Sequence, residues 1–278
     1  MKHLLFSSLL ILSVTAFGAD TSELCRANSP RQISFSKSPQ TRDFNEITLI
    51  TWNAHKLADP RFFYDLKALS ERSDILMVQE AMHSTAWQAA FASHFQMSFS
   101  FFKSFCDGDN QATGVMTASR GLLEHNRTIV SPWTEPITFT PKVSGYSQVV
   151  LNNQIIHLIN THALNFNTGS DFEAQIDNLI QFIAGLQGPV IWAGDFNTWS
   201  PGRKNYLYEK TRAIGLTHVI PAEDHRRLIL DHIYVRGFGV RDIEVLKNES
   251  SDHYPMRAVL TLNSNRNLMT NNGIGDRH

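Results

Sequence analysis

Apolar positions along the chain recur with two periods. Residues 47–52 (Ile-Thr-Leu-Ile-Thr-Trp) and 75–78 (Ile-Leu-Met-Val) are short apolar or alternating runs that predict strands, with a helix over residues 61–69 between them. Trp87, Phe91 and Phe95 are spaced by four, so residues 85–95 predict a helix with one aromatic face. Residues 114–118, 147–151 and 155–160 predict further strands, the last two joined by a hairpin turn at Asn152-Asn153. Phe172, Ile176, Leu179, Ile180 and Ile183 mark another helix, stopped by Gly188-Pro189. Residues 189–193, 229–235 and 256–262 are the last strands. Strands are many, helices few, and neither a strict strand–helix alternation nor an internal repeat is present. That order predicts an α/β (α+β) fold of stacked sheets with helices outside, rather than a doubly wound parallel sheet.

The two ends read differently. Residues 4–17 form an apolar stretch of 14 positions after Lys2 and His3, and Ala16 and Gly18 supply small residues before Ala19. This is the layout of a secretory signal peptide over residues 1–18. It is short of the ~20 residues that span a bilayer, so the mature chain is expected to be soluble and periplasmic or secreted. Residues 19–44, rich in Ser, Pro, Arg and Gln, predict an extended arm, and residues 45–263 a folded domain. The polar, Asn-rich residues 264–278 predict a disordered tail.

Export changes the meaning of the cysteines. Cys25 and Cys106 are the only two and lie 81 residues apart. A disulfide is expected in an oxidising compartment, the alternative being two independent thiols. Two cysteines are too few for a four-thiolate zinc site. The net charge of −1, with 42% hydrophobic and 18% charged residues, excludes wholesale disorder and a histone-like binder held by bulk charge. It leaves room for a nuclease, whose basic rim is local.

Polar and acidic residues punctuate the strand ends. The motifs are Thr51-Trp52-Asn53, Val78-Gln79-Glu80, Asn160-Thr161-His162, Gly194-Asp195-Phe196-Asn197, Leu230-Asp231-His232 and Ser251-Asp252-His253. If the strands lie side by side, these ends converge on one edge, where functional groups concentrate. Asn53, Glu80, Asp195, Asn197, Asp231 and Asp252 would supply hard oxygen ligands, and His162 and His253 acid–base groups. A lone Asn or Glu after a strand is ordinarily a turn former; six motifs in this order are far more specific.

In these six motifs the chain resembles the endonuclease/exonuclease/phosphatase (DNase I-like) superfamily, over about residues 47–262, with Gly194-Asp195-Phe196-Asn197 and Ser251-Asp252-His253 the specific core. Residues 162–166 and 188–200 further resemble its bacterial YafD-like branch. The resemblance implies a four-layer sandwich, two mixed β-sheets face to face with helices on the outer faces, and makes residues 45–263 a catalytic domain. It implies Mg²⁺, with Mn²⁺ as a substitute, held by Glu80 with Asn53 and Asp252 beside it. Asp195 would activate the attacking water and Asn197 would hold that nucleophile or the phosphate. His253, oriented by Asp231, would stabilise the phosphoryl oxygens, and His162 would assist the leaving oxygen.

The function so implied is an exported phosphodiesterase, a monomer, with nucleic acid as the first-ranked substrate. A phospholipid or inositol-phosphate hydrolase on the same scaffold is the alternative, and a non-catalytic binding protein is third. The basic residues Arg203, Lys204, Arg226, Arg227 and Arg236 are few, but Arg203-Lys204 and Arg226-Arg227 lie beside motif loops and are candidates for a basic rim. Trp133 and Phe139 are expected to pack rather than to form a lipid wedge. The DNA-contacting arginines of DNase I have no clear counterpart in residues 99–110.

Overall fold

The structure, a computed structural model, describes residues 22–38 and 46–263. The expected signal peptide and tail lie outside these residues, as do residues 19–21 and 39–45. The chain runs through β1 (Gln32–Phe35), β2 (Ile47–Asn53), α1 (Arg61–Ser70), β3 (Ile75–His83), α2 (Thr85–His94), β4 (Ser98–Cys106), β5 (Ala112–Ser119) and β6 (Leu123–Thr134). It continues through β7 (Pro141–Leu151), β8 (Gln154–His162), α3 (Gly169–Ala184), β9 (Val190–Asp195), α4 (Pro201–Ala213), β10 (Thr217–Val219), β11 (Asp231–Arg236), β12 (Phe238–Val245) and β13 (Met256–Leu262). One sheet has seven strands in the order β1-β4-β5-β3-β2-β13-β12, and the other six, β10-β11-β9-β8-β7-β6. β2 with β3 and β8 with β9 are parallel pairs inside otherwise antiparallel sheets.

The alternation of each strand assigns its residues to layers. Ile47, Leu49, Ile75, Met77, Ala258 and Leu260 of the first sheet meet Ile156, Leu158, Ile191, Ala193, Ile233 and Val235 of the second, forming the central core. The opposite parity of the first sheet, Ile50, Trp52, Leu76 and Val78, packs on Phe62 and Leu66 of α1 and on Trp87 and Phe91 of α2. The outer face of the second sheet packs Ile159, Trp192 and Tyr234 on Phe172, Ile176 and Leu179 of α3 and Leu207 of α4. Four layers result, as expected. Among the described residues no helix is long and apolar enough to cross a membrane.

Several elements exceed the sequence expectation. The arm contributes β1, which pairs with β4. The edge strands β6 and β12 alternate little between buried and exposed, so they carry no amphipathic signal. Helix α4 has Ser200 as N-cap and Pro201 in its first turn, yet buries only Arg203, Leu207 and Thr211. Phe139 is 76% exposed at the tip of the β6–β7 hairpin and does not pack as expected, whereas Trp133, within β6, is half-buried.

The arm is anchored twice. Cys25 and Cys106 are disulfide-bonded, and Ser22 Oγ lies 2.9 Å from His83 Nδ1 while its N–H donates to the Asn110 carbonyl at 2.9 Å. Closing a loop of this length restricts the unfolded chain by about 4–5 kcal/mol in the chain-entropy account. The double variant Cys25→Ser/Cys106→Ser should therefore unfold at lower denaturant, losing up to about 4 kcal/mol, in urea titrations monitored by Trp fluorescence.

A second liability is acid. Thr198 donates its hydroxyl proton to the Ile229 carbonyl (2.9 Å), so His232 Nε2–H must donate to Thr198 Oγ1 (2.6 Å). His232 Nδ1 is then left to accept from His218 Nε2–H at 3.0 Å. Burial, with Lys204 and Arg226 nearby, pushes His218 down to about 4, and burial also holds His232 well below the usual range. Both are neutral when folded, so their contribution is present above the unfolded value near 6.5 and is lost as pH falls toward 4. Thermal melts should show a Tm falling between pH 6.5 and 4, and the fall should be shallower in His218→Gln.

Candidate active site

The face that forms the central core turns polar at one end of the sandwich. Leu49, Thr51 and Asn53 share a parity, as do Met77 and Gln79, Leu158, Asn160 and His162, Ala193 and Asp195, and Asp231 and Ile233. Strands β2, β3, β8 and β9 end at this edge, and β11 and β13 start there because each runs antiparallel to a neighbour. His162, Asp195 and Asp231 are thus in register on three adjacent strands. The approach is close: at Gly194, where φ is +144°, an added Cβ would lie 2.0 Å from the Thr161 carbonyl oxygen. Glycine there lets β9 carry Asp195 beside His162.

Glu80 has the wrong parity for this edge. A bulge in β3 between Val78 and Ala81, with Glu80 itself at φ 46°, re-aims its carboxylate into the site. Asp252 and His253 come from the loop before β13. That loop is pinned by Trp52 Nε1–H donating to the His253 carbonyl (2.8 Å) and by the Ser251 hydroxyl donating to the Asn53 carbonyl (2.6 Å).

Asp195 is the hub. Its Oδ2 accepts from Asn53 Nδ2–H at 2.9 Å and faces His162 Nε2 at 3.6 Å and His253 Nε2 at 3.9 Å. Its Oδ1 accepts the Asn197 backbone N–H at 2.9 Å. His253 Nδ1–H is shared between the Asp231 oxygens at 2.9 and 3.1 Å. His162 Nε2 also lies 3.7 Å from Glu80 Oε1. Through their side chains, six of the eight predicted residues thus form one connected cluster. The Asn197 side chain is buried beside it and donates to the Ala163 carbonyl at 2.9 Å. Asp252 sits at the exposed rim, 3.6 Å from His55 Nδ1.

Burial and neighbouring charge separate the proton affinities. Burial, then the Asp231 carboxylate, pushes Asp195 up to about 7 against the opposing pull of His253 and of the Asn197 and Asn53 donors. Burial opposes protonation of His253, but the charge and hydrogen bond of Asp231, then Asp195 and Asp252, outweigh it and raise His253 to about 10. His162 goes the other way: burial, then Lys142, His253 and Lys56, hold it well below the usual range.

Residues 50–253 match the family described as Endonuclease/Exonuclease/phosphatase. The chain belongs to the endonuclease/exonuclease/phosphatase family. A UPF0294 protein of Vibrio parahaemolyticus is 28% identical over 261 residues, covering 90% of this chain and 88% of its own. The endonuclease/exonuclease/phosphatase structure from Beutenbergia cavernae superposes with a TM-score of 0.64 at 16% identity, over 79% of this chain and 72% of that one. D. rerio TDP2 complexed with a single-strand DNA product superposes with a TM-score of 0.58 at 15% identity, over 78% and 99% of the two chains. The relatives are UPF0294, YafD-like proteins, and phosphoester hydrolysis with a divalent metal is general to the family.

The oxygen donors at this family site suit such an ion. Within ion-pairing distance Glu80 faces His162 and Asp252 faces His55, and Asn53 is bonded into the same network. Hard, anionic oxygen donors of this kind match Mg²⁺ or Mn²⁺. Asp195, Asp231 and His253 also bring one ligand atom each within 4.8 Å of one another. His253 Nδ1, however, is already committed to Asp231.

Two arginines expected at a basic rim, Arg203 and Arg226, play structural parts, as does Arg236. Arg203 is 4% exposed and donates to the carbonyls of Leu164 (2.7 Å), Asn197 (3.2 Å) and Asn167 (2.8 Å). Arg236 donates to the Leu186, Gly188 and Ile214 carbonyls. Arg226 is clamped by Asp224 (2.7 and 2.9 Å) and donates to the Asp231 carbonyl at 2.8 Å. Lys56, Lys142 and His55 were not foreseen around the cluster; only their nearness to motif strands would have pointed to them.

The Asp231–His253 pair has a direct test. In metal-free protein, histidine ring NMR should show His253 protonated through neutral pH and titrating near 10. In Asp231→Asn, with the dominant opposing charge removed, the titration should shift down by more than about one unit.

Proposed function

We propose that this protein is an exported, divalent-metal-dependent phosphodiesterase that cleaves nucleic acid by in-line attack of water. The observation that carries this is the Asp195 carboxylate, buried at the sheet edge between two histidines and raised to about 7. Such a group accepts a proton from water near neutral pH while remaining partly ionised. Asn53 and the Asn197 N–H orient it, and Asp231 keeps His253 cationic and aimed across the same oxygen. His253 then donates Nε2–H to the phosphoryl oxygens as charge develops there. His162, held neutral, acts as a hydrogen-bond donor through Nε2–H toward the leaving side rather than as an acid. Glu80, Asp252 and Asn53 would hold the metal, which when bound polarises a phosphoryl oxygen.

Nucleic acid is supported by the TDP2 complex with single-strand DNA product among the structural neighbours. Export is supported by the Cys25–Cys106 bond, which persists in oxidising compartments. A phospholipid substrate is the second reading, favoured by the hairpin tip, where Ile137 and Phe139 are 75% and 76% exposed.

Purified protein should cleave plasmid DNA or oligonucleotides in Mg²⁺ and not in EDTA. Asp195→Ala, His253→Ala and Glu80→Gln should each lower kcat by about a hundredfold or more without lowering Tm below the assay temperature. Hydrolysis of sphingomyelin vesicles alone would move the substrate to lipid. Activity retained in Asp195→Ala would overturn the assignment.

A further inference from the structure

Beside Glu80 and His162 the site opens into a cleft of about 160 Å³, walled by Lys56 of the turn His55–Leu57, the β6–β7 hairpin and Phe166. On the His253 side lies a broad groove of about 670 Å³, lined by Arg227, Asp252 and Tyr254 among others. We propose that the smaller cleft binds a second phosphate of the substrate, adjacent to the one cleaved, with Lys56 as its cation. This rests on the phosphodiesterase reading and adds a substrate requirement to it.

The backbone around Lys56 is the first ground. His55, Lys56 and Leu57 are successive L-residues at φ 45°, 54° and 56°, a left-handed turn that disfavours any side chain with a Cβ. The turn is closed by Leu57 N–H to the Ala54 carbonyl (2.9 Å) and Ala58 N–H to the His55 carbonyl (3.1 Å). It is tied to the site by His55 N–H donating to Asn53 Oδ1 at 2.9 Å, and Asn53 in turn holds Asp195. Strain of this kind persists where surrounding contacts impose it, and it gathers at ligand sites. Here its effect is to set Lys56 on the wall of the cleft that Glu80 and His162 share.

Charge is the second ground. Two lysines line this cleft. Lys142 lies 3.3 Å from Glu135, which also accepts the Asn165 N–H at 3.2 Å, so that cation is already matched. Lys56 makes no ion pair among the described residues, and the other carboxylate of the cleft, Glu80, faces His162 Nε2 at 3.7 Å and is the one assigned to the metal. At about 160 Å³ the cleft has room for one phosphate. A trimethylammonium headgroup would bring like charge against Lys56. A polyanion brings the opposite charge, and a phosphate oxygen beside an ammonium makes a charge-assisted hydrogen bond.

The test compares one phosphate with several in the full-length protein. Steady-state kinetics would use bis-p-nitrophenyl phosphate and the dinucleotide pTpTp, with Lys56→Gln and Lys56→Arg beside the parent. Lys56→Gln should raise KM for pTpTp about tenfold, and Lys56→Arg should restore it. KM for bis-p-nitrophenyl phosphate should not move, and any change in kcat through the charge beside His162 should be the same for both substrates. An equal rise in KM for both substrates, or none for pTpTp, overturns the proposal. Calorimetric binding of pTpTp and of inositol 1,4,5-trisphosphate to the His253→Ala protein in EDTA separates this cleft from the chemistry. Lys56-dependent binding without cleavage by the parent keeps the cleft and rejects the phosphodiesterase reading, whereas cleavage without Lys56 dependence does the reverse. Lys56-dependent binding of the inositol phosphate alone keeps the second phosphate and moves its source to a sugar ring.

Discussion

Two hydrogen bonds that cross between the sheets join the fold to the site. Asn53 of the first sheet donates to Asp195 of the second at 2.9 Å, and Gln79 donates to Asn160 at 2.7 Å. Apolar faces slide over one another at little cost, since hydrophobic contact is non-directional. Directional bonds at one end of the interface remove that freedom. Gln79 and Asn160 are fully buried, and Asn160 also donates to the Met116 and Val78 carbonyls, so β3 and β5 of one sheet are both linked to β8 of the other. The site is thus an extension of the core, built on the same faces by a change of residue type. A shift that misaligned the carboxylates would also break these buried polar contacts.

That arrangement concentrates negative charge where water is scarce. Asp195 and Asp231 are both 2% exposed, a burial that is costly unless every lone pair is met. The protein meets them with the Asn53 amide, the Asn197 N–H, a histidine cation and, behind Asp231, the guanidinium of Arg226. Arg226 is held by Asp224, so the chain of alternating charge runs from Asp224 through Arg226 and Asp231 to His253. Arg203 serves the opposite wall, its guanidinium over the rings of Phe172 (4.6 Å) and Trp199 (4.8 Å) while it ties down residues 164–167. Arginine suits both places because its planar fork satisfies several acceptors and can stack on a ring.

Much of this was legible in the sequence, and the parts that were not have physical causes. Asn53, His162, Asp195 and Asp231 share the parity of apolar core residues on their own strands, so a two-residue period carries them to the inner face. Glu80 breaks the parity, and only the bulge at Val78/Ala81 brings it in; the motif named it, whereas the alternation did not. Asp252 and His253 depend on contacts more than 190 residues away in sequence, to Trp52 and Asn53. The helices α2 and α3 were read because they bury broad apolar faces. Helix α4 was not, because its buried positions include Arg203 and Thr211. The basic-rim expectation failed at Arg203 and Arg226 for a related reason: a charged residue near a motif says nothing of whether its head group meets solvent or a row of carbonyls.

The two histidines show how one site holds opposite protonation states a few ångströms apart. Both Nε2 atoms approach the same Asp195 oxygen, at 3.6 and 3.9 Å. His253 has a carboxylate behind it at Nδ1 and is raised to about 10. His162 has burial and the positive charges of Lys142, His253 and Lys56 around it and is held neutral. The difference follows from what stands behind each ring, since the oxygen in front is shared. Pairs of titratable groups driven apart in this way divide the work of acid and base in enzyme sites. In the proposed mechanism a cation at His253 would offer its proton to a developing oxyanion, and a neutral His162 would add a donor without adding a second charge that competes for Asp195. If both rings were charged, Asp195 would be drawn down toward the ordinary carboxylate range and would lose its affinity for a proton from water. Keeping His162 neutral therefore preserves the basicity of Asp195.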